Sequence, residues 1–315
     1  MINLLAPIYS MSVRIRNTLY DRGTLPQGKL EGPVVSVGNL SVGGAGKTPF
    51  VVLLGELLKT RGVKFDVLSR GYGRKGRGVA LVEPGGAAAD FGDEPLLIAR
   101  RLDVPVVVGE DRYAAGQFAE KQFGPQLHLL DDGFQHRALY RDFDIVLVTP
   151  EDARDRLLPA GRLREPLSSL ARADVVVLTS GAVPDAFPLK EKLVWRVRRG
   201  IAFKNVPSQP VVFCGIARPK NFLLQLRAAG VEPAAEAFFR DHHAYTESDI
   251  RDLLKVRERS EADGFITTEK DAINLGGFLS ALQPLAVVPV KMELVDAANA
   301  IDTTLHTIEE RKGKA

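Results

Sequence analysis

One cysteine, Cys214, in a chain of 315 residues leaves no partner for an intrachain disulfide and too few thiols for a cysteine-built metal cluster. That usage suits a reducing cytosol, and Cys214, closing the apolar run Val211–Phe213, reads as a small buried hydrophobe. No stretch approaches the ~18–20 uninterrupted apolar residues of a membrane-spanning helix. Strong charge of either sign is also missing: 42 Lys+Arg against 39 Asp+Glu leaves a formal +3, too weak a bias to imply nucleic acid. There is no internal repeat, no low-complexity tract, no His/Cys/Asp/Glu spacing of a zinc site and no Asn-Lys-x-Asp guanine signature, so among nucleotides ATP is favoured over GTP.

With 45% hydrophobic and 26% charged residues, the composition is that of a folded protein of one large or two modest domains. Short β-branched runs recur at Val34–Val37, Phe65–Leu68, Val79–Val82, Val104–Val108, Leu127–Leu130, Ile145–Val148 and Val175–Leu178. Helix-length segments such as Phe50–Arg61 and Tyr113–Phe123 separate several of them. Near-continuous apolar strands alternating with helices predict an α/β fold, a mostly parallel sheet flanked by helices with ligands at its carboxyl ends. Prolines 184, 188, 207 and 210 around the basic piece Leu193–Arg199 mark a hinge. Beyond it, strands at Val211–Ile216, Gly264–Thr267 and Leu285–Val290 and helices at Asn221–Ala229, Glu247–Arg257 and Ala297–Glu310 predict a second, smaller α/β domain. The expected division is residues 1–22, 23–195 and 196–315.

Residues 1–22 form an amphipathic segment: Leu4, Leu5, Ile8, Met11, Ile15 and Leu19 fall at helical spacing, with Arg14, Arg16 and Arg22 toward the far end. A secretory signal has the opposite order, basic residues before the apolar core. Two readings stay open: a first helix packed on its own domain, or a helix lying in the headgroup layer of a membrane.

The most informative stretch is Ser41-Val-Gly-Gly-Ala-Gly-Lys-Thr-Pro49, placed between an apolar strand and an apolar helix. Gly43, Gly44, Ala45 and Gly46 let consecutive backbone N–H groups converge on an anion. Lys47 can reach the β- and γ-phosphates, Thr48 can ligate Mg²⁺, and Pro49 sits in the first helical turn. Ser41 occupies the slot where the strict pattern has glycine. Asp131 and Asp132, directly after Leu127–Leu130, supply carboxylates at a strand end for Mg²⁺, and Gly133-Phe-Gln-His136 puts a histidine beside them. In Gly92-Asp-Glu-Pro95, Asp93 is either a helix cap or a base that takes a hydroxyl proton while Glu94 helps hold the metal. A histidine from Asp241-His-His243 delivered across a cleft to Asp93 would complete an acid–base dyad. The Arg-bearing loops Ser69–Lys75, Glu110-Asp-Arg112 and Gly161-Arg-Leu-Arg164 suit a phosphorylated substrate.

Together with Gly215-Ile-Ala-Arg-Pro219 and Thr268-Glu-Lys-Asp-Ala272, these motifs run in order through nearly the whole chain and resemble the tetraacyldisaccharide 4′-kinase family of lipid A biosynthesis. The resemblance implies transfer of the γ-phosphoryl of ATP, with Mg²⁺, to the 4′-hydroxyl of a tetraacylated glucosamine disaccharide 1-phosphate at the cytoplasmic face of the inner membrane. It implies that the protein sits peripherally on an anionic surface, with no nucleic acid and no obligatory protein partner. Matching positions assign Lys47 and Thr48 to the triphosphate, and Asp132, Asp131 and Glu94 to Mg²⁺. Asp93 with His242 falls to hydroxyl activation, and Arg70, Tyr72, Arg112 and His136 to the substrate. Ala45 stands where the family commonly has threonine and Asn274 where lysine is frequent; neither change removes a reacting group. The rival is a membrane-associated switch ATPase sharing the Gly-Gly-x-Gly-Lys-Thr core, but such switches carry a second lysine where this chain has Val42.

Overall fold

A computed structural model describes residues 2–203 and 205–312, with side chains from Leu5 onward, so Leu4 of the expected stripe lies outside the described residues. Helix α1 (Ile2–Asp21) precedes β1 (Val34–Asn39), α2 (Lys47–Thr60), β2 (Phe65–Ser69), β3 (Ala80–Leu81), α3 (Ala88–Phe91), α4 (Asp93–Leu102) and β4 (Val106–Val108). Next come α5 (Arg112–Phe123), β5 (Leu127–Asp131), β6 (Phe143–Val148), β7 (Val175–Leu178) and β8 (Leu193–Ile201). The order closes with β9 (Pro210–Cys214), α6 (Pro219–Ala228), β10 (Ala235–Phe238), α7 (Glu247–Arg259), β11 (Gly264–Thr268), α8 (Glu269–Leu275), β12 (Leu285–Val288), β13 (Val290–Leu294) and α9 (Ala297–Lys312).

Nine strands make one sheet in the order β13-β8-β7-β6-β1-β5-β2-β4-β3, parallel from β8 to β4 and antiparallel only at its two rims. The expected α/β architecture is therefore present. All six residues of β1 and all five of β2 and β5 are buried, as both-face coverage by helices demands. Helix α2 turns Phe50, Val51, Val52, Leu54 and Leu58 onto that sheet, each worth roughly 1.5–3 kcal/mol of burial. Strand β1 lies between β5 and β6, where the strand order reverses, and Val37 registers with Asp131. That pairing sets the glycine-rich turn after β1 beside the carboxylates after β5.

The second sheet, β10-β9-β11-β12, is parallel throughout. The expected strand Leu285–Val290 is two strands: Pro289, with no N–H to give a ladder, separates β12 in the small sheet from β13 in the large one. The expected boundary between residues 195 and 196 falls inside β8, which pairs with β7. Helix α9 also returns to the large sheet, burying Ala300, Ile301 and Ile308 in its core. Strand β10, Ala-Glu-Ala-Phe, lacks β-branched residues and alternates between half-buried and exposed at a sheet edge, so no hydrophobic run announced it.

Helix α1 is docked by its polar face. Tyr9 Oη donates to the Arg164 carbonyl at 3.0 Å, Arg16 to the Gln135 carbonyl at 2.6 Å and Asn17 Nδ2 to Glu165 Oε2 at 2.7 Å, while Asp21 pairs with Arg137 at 2.8 Å. Leu5, Ile8, Met11 and Ile15 are left 53–66% exposed. Leu19 is half-buried. Among the described residues no helix is long and apolar enough to cross a membrane.

Candidate active site

After Asn39 the chain reverses direction through Gly43, Gly44 and Gly46, whose φ values of +74°, +67° and +86° strain any residue with a Cβ. Helix α2 thus opens at Lys47 with its first-turn N–H groups and positive dipole end facing the loop. Thr48 is nearly buried there, and Pro49 lies in the first turn, where its missing N–H costs nothing. Ser41 takes no positive φ; it is buried, bridges to Leu163 in an antiparallel pair, and its carbonyl accepts from Asn39 Nδ2 at 2.8 Å. Glycine is therefore not required at that slot. Lys47 Nζ donates to Asn39 Oδ1 at 3.1 Å and lies 3.5 Å from Asp132 Oδ1.

At the end of β5 the two aspartates diverge in character. Asp132, in the left-handed region at φ +51°, receives both Nη groups of Arg164 at 3.0 and 2.8 Å as a fork. Burial pushes its carboxyl up, but Lys47 and Arg164 outweigh that and hold it well below the usual range. Asp131 accepts from Ser69 Oγ at 3.0 Å, and its Oδ1 is buried without a partner. Burial first, then the neighbouring Glu94 and Asp132 charges, push its carboxyl up to about 7.

Asp93 is the first residue of α4. Gly92 holds the cap position, so the cap reading of Asp93 gives way to a buried carboxylate. Both its oxygens lie 2.9–3.0 Å from His242 Nδ1, Asn274 Nδ2 donates to Oδ2 at 3.1 Å, and the Glu94 N–H reaches Oδ1 at 2.9 Å. Lys270 Nζ stands 3.1 Å from His242 Nε2, 3.2 Å from Asp241 Oδ1 and 3.5 Å from Glu94 Oε1. A charged ammonium at Nε2 makes that nitrogen the acceptor, which places the ring proton on Nδ1, donated to Asp93. Burial would raise the Asp93 carboxyl, but the His242 hydrogen bond, Lys270 and Asn274 bring it below its ordinary value. His242 itself adopts φ +59°, with its N–H tied to the Gly215 carbonyl at 3.1 Å.

The four residues expected on the substrate side divide. Tyr72, largely exposed, sets its ring 5.3 Å from that of His242, at the mouth of a cavity of about 630 Å³ that Lys75, Arg100 and Asn274 also line. Arg112 is buried, donates to the Gly109 and Glu110 carbonyls at 3.2 and 2.8 Å, and keeps Nε unpartnered. Burial and then exposed Arg70 nearby bring its guanidinium down to about 10. Burial and then Arg112 hold His136 down at about 4, a neutral imidazole at neutral pH. His136 and Arg112 do not line the cavity beside Asp93. Asn39, Ser69, Lys270 and Asn274 complete the site without individual roles from the sequence, and Arg164, expected in a loop suited to a phosphorylated substrate, forks onto Asp132 instead. Ser69, Arg164 and Lys270 fall in motifs already noted and Asn274 at a noted departure just after one, whereas Asn39 closes the buried strand ahead of the phosphate loop.

A glycine-rich loop from a central parallel strand into a helix, a lysine crossing to an aspartate of the next strand, and a carboxylate–histidine pair beside a cavity define a phosphate-loop phosphotransferase. The family model described as tetraacyldisaccharide-1-P 4′-kinase matches residues 1–309, and the chain belongs to that family. It is 50% identical over 321 residues to the tetraacyldisaccharide 4′-kinase of Koribacter versatilis, covering 99% of this chain and 100% of the relative. It is 40% identical over 288 residues to that of Aquifex aeolicus, covering 86% and 88%. The crystal structure of "apo" form LpxK from Aquifex aeolicus in complex with ATP superposes with a TM-score of 0.79 at 35% identity, covering 96% of this chain and 97% of that one.

Proposed function

We propose that this chain transfers the terminal phosphoryl group of ATP to the 4′-hydroxyl of a tetraacyldisaccharide 1-phosphate, the step its family serves in lipid A biosynthesis. The observation that carries the reading is the Asp93–His242 pair at the rim of a cavity. A carboxylate kept ionised by a histidine and a lysine is a base ready for a sugar hydroxyl. The hydroxyl oxygen attacks Pγ, its proton passes to Asp93, the bond from Pγ to the β-phosphate oxygen breaks, and ADP leaves. Lys47 and the N–H groups of the phosphate loop hold the triphosphate in line. Tyr72, Arg70, Arg112 and His136 fall to the acceptor side.

The residues present fit Mg²⁺. Asp131 Oδ1 is buried and unpartnered, and Glu94, Asp131 and Asp132 crowd one another's charge. Among the described residues no three such ligands form a ready cage, which suits an ion whose shell is completed by phosphate and water. Thr48, Asp131, Asp132 and Glu94 would hold it, and it would neutralise charge on the β- and γ-phosphate oxygens.

The exposed Leu5–Ile15 stripe supports docking on an anionic membrane surface, at the cytoplasmic face where ATP is available, with Arg14 and Arg22 toward the headgroups. Arg16, expected there too, is engaged with Gln135. The two sheets act as two lobes, with β8, β13 and α9 grouped with the first. The test is to incubate the full chain with γ-labelled ATP and tetraacyldisaccharide 1-phosphate in mixed micelles. Label in the lipid is expected; label released only as inorganic phosphate overturns the reading.

A further inference from the structure

The turn Gly215–Arg218, between β9 and α6, lies over the tip of the phosphate loop. A Cβ placed on Gly43 would stand 3.1 Å from the Ala217 Cβ, and one on Gly44 would stand 2.9 Å from Cγ, Cδ and Nε of Arg218. The Arg218 guanidinium donates through Nη1 to Glu151 Oε2 at 2.9 Å and through Nη2 to Thr149 Oγ1 at 3.3 Å, while Nε, the nitrogen above Gly44, is buried without an acceptor. A second guanidinium stands close by. Arg199 of β8 pairs in register with Met292, whose Cε packs against Gly46 where a Cβ would have to go, and Arg199 Nε is also buried and unpartnered. Burial and then the Arg218 charge lower the Arg199 guanidinium, so the two cations feel each other.

Arg218 is paired with Glu151, but it and Arg199 each keep a buried Nε donor unmet, and an unmade buried hydrogen bond forfeits the desolvation of its donor unless a further acceptor arrives. The anion that the adjoining loop is built to hold is a triphosphate. We propose that Arg218 is a catalytic residue, an arginine finger supplied in cis by the small sheet, which engages the phosphoryl group as it transfers, over Gly43 and Gly44, with Arg199 as its positioning neighbour. The inference rests on the kinase reading above. Arg218 forms no covalent bond. As the acceptor oxygen joins Pγ and the bond to the β-phosphate oxygen breaks, Nε–H and a freed Nη–H neutralise charge on the equatorial oxygens, and Glu151 gives up its hold on the guanidinium. The half-exposed Glu151 carboxylate loses little by returning to water.

The experiment compares the full chain with Arg218→Ala and Arg218→Lys. Three quantities are read: kcat for lipid phosphorylation, equilibrium binding of ATP, and binding of ADP with aluminium fluoride, a mimic of the transferring phosphoryl group. Arg218→Ala is expected to lose about 10²–10³ in kcat and to bind the mimic at least ~10-fold more weakly, with ATP binding and unfolding temperature near wild type. Lysine recovers little, because a point charge cannot fork onto two oxygens. A kcat within about threefold of wild type, or a loss that follows only the unfolding temperature or ATP affinity, overturns the inference and makes Arg218 a clamp between the sheets. If the wild-type chain labels no lipid, the kinase reading fails by itself. The lipid-free mimic then decides on Arg218: weaker binding by the alanine variant supports the finger, and equal binding overturns it.

Discussion

His242 Nδ1 stands 2.9 Å from Asp93 Oδ2, although the aspartate opens a helix beside the large sheet and the histidine follows a strand of the small one, 149 residues later. The contact ties an element beside the large sheet to one beside the small sheet. Asp93→Ala and His242→Ala are each expected to lower kcat by about 10²–10⁴, with the double variant costing far less than the product, because the partners share one contribution. Independent, multiplicative losses in steady-state kinetics would dissolve the dyad. So would an Asp93→Ala variant altered only in KM for ATP.

Lys47→Ala removes a charge that touches Asn39 and Asp132 but contributes little to any core. Lipid phosphorylation is expected to fall by roughly 10²–10³ or more while the far-ultraviolet spectrum and unfolding temperature hold. A variant keeping more than about a tenth of wild-type turnover would remove the lysine from the phosphate site.

The outward stripe of α1 can be tested without disturbing its docked face. Ile8→Glu, Met11→Glu and Ile15→Glu combined leave the bonds of Tyr9, Arg16 and Asn17 in place. Each buried apolar side chain is worth roughly 1.5–3 kcal/mol, so binding to anionic vesicles should fall by well over ~10-fold. KM for micellar lipid is expected to rise, with KM for ATP unchanged. Deleting residues 1–19 should also move the protein from membrane to soluble fractions, at an added cost in stability from the lost polar contacts. Undiminished vesicle binding by the triple variant would place the docking surface elsewhere.

Glu165 gives the fold an acid-sensitive joint. Its buried carboxylate accepts from Arg172 at 2.9 and 3.2 Å and from Asn17 of α1 at 2.7 Å. Burial raises its pKa, but Arg172, Asn17 and Ser169 outweigh that and bring it below the ordinary 4.5. A lowered folded-state value means stabilisation that is complete above 4.5 and disappears as pH falls through the folded-state value. Glu165→Gln should therefore be about 1–3 kcal/mol less stable at neutral pH and converge with wild type in acid, as measured by denaturant unfolding across pH. Parallel curves at all pH would show that the carboxylate charge is not what stabilises the joint.

The contiguous motifs were legible in the sequence because their chemistry is local. A phosphate loop needs glycine where φ is positive, a lysine and a threonine at fixed offsets, and an apolar strand before it, and Gly43 to Thr48 meet those needs within a few residues. The α/β alternation was legible for the same reason, since a strand buried on both faces must be apolar along its length. Tertiary structure decided what depends on strand order and on chains meeting from far apart. Asp132 meets Arg164 and Lys47 because β1 and β5 are neighbours, and Lys270 stands among Asp93, Glu94, Asp241 and His242 because α8 packs on α4. Pro289 sends β13 back to the large sheet, and an alternating hydrophobic pattern is the same whichever sheet a strand joins. The N-terminal segment shows the division most plainly: its periodicity establishes an apolar stripe, but only the bonds from Tyr9, Arg16 and Asn17 to the body of the protein decide that the stripe faces outward.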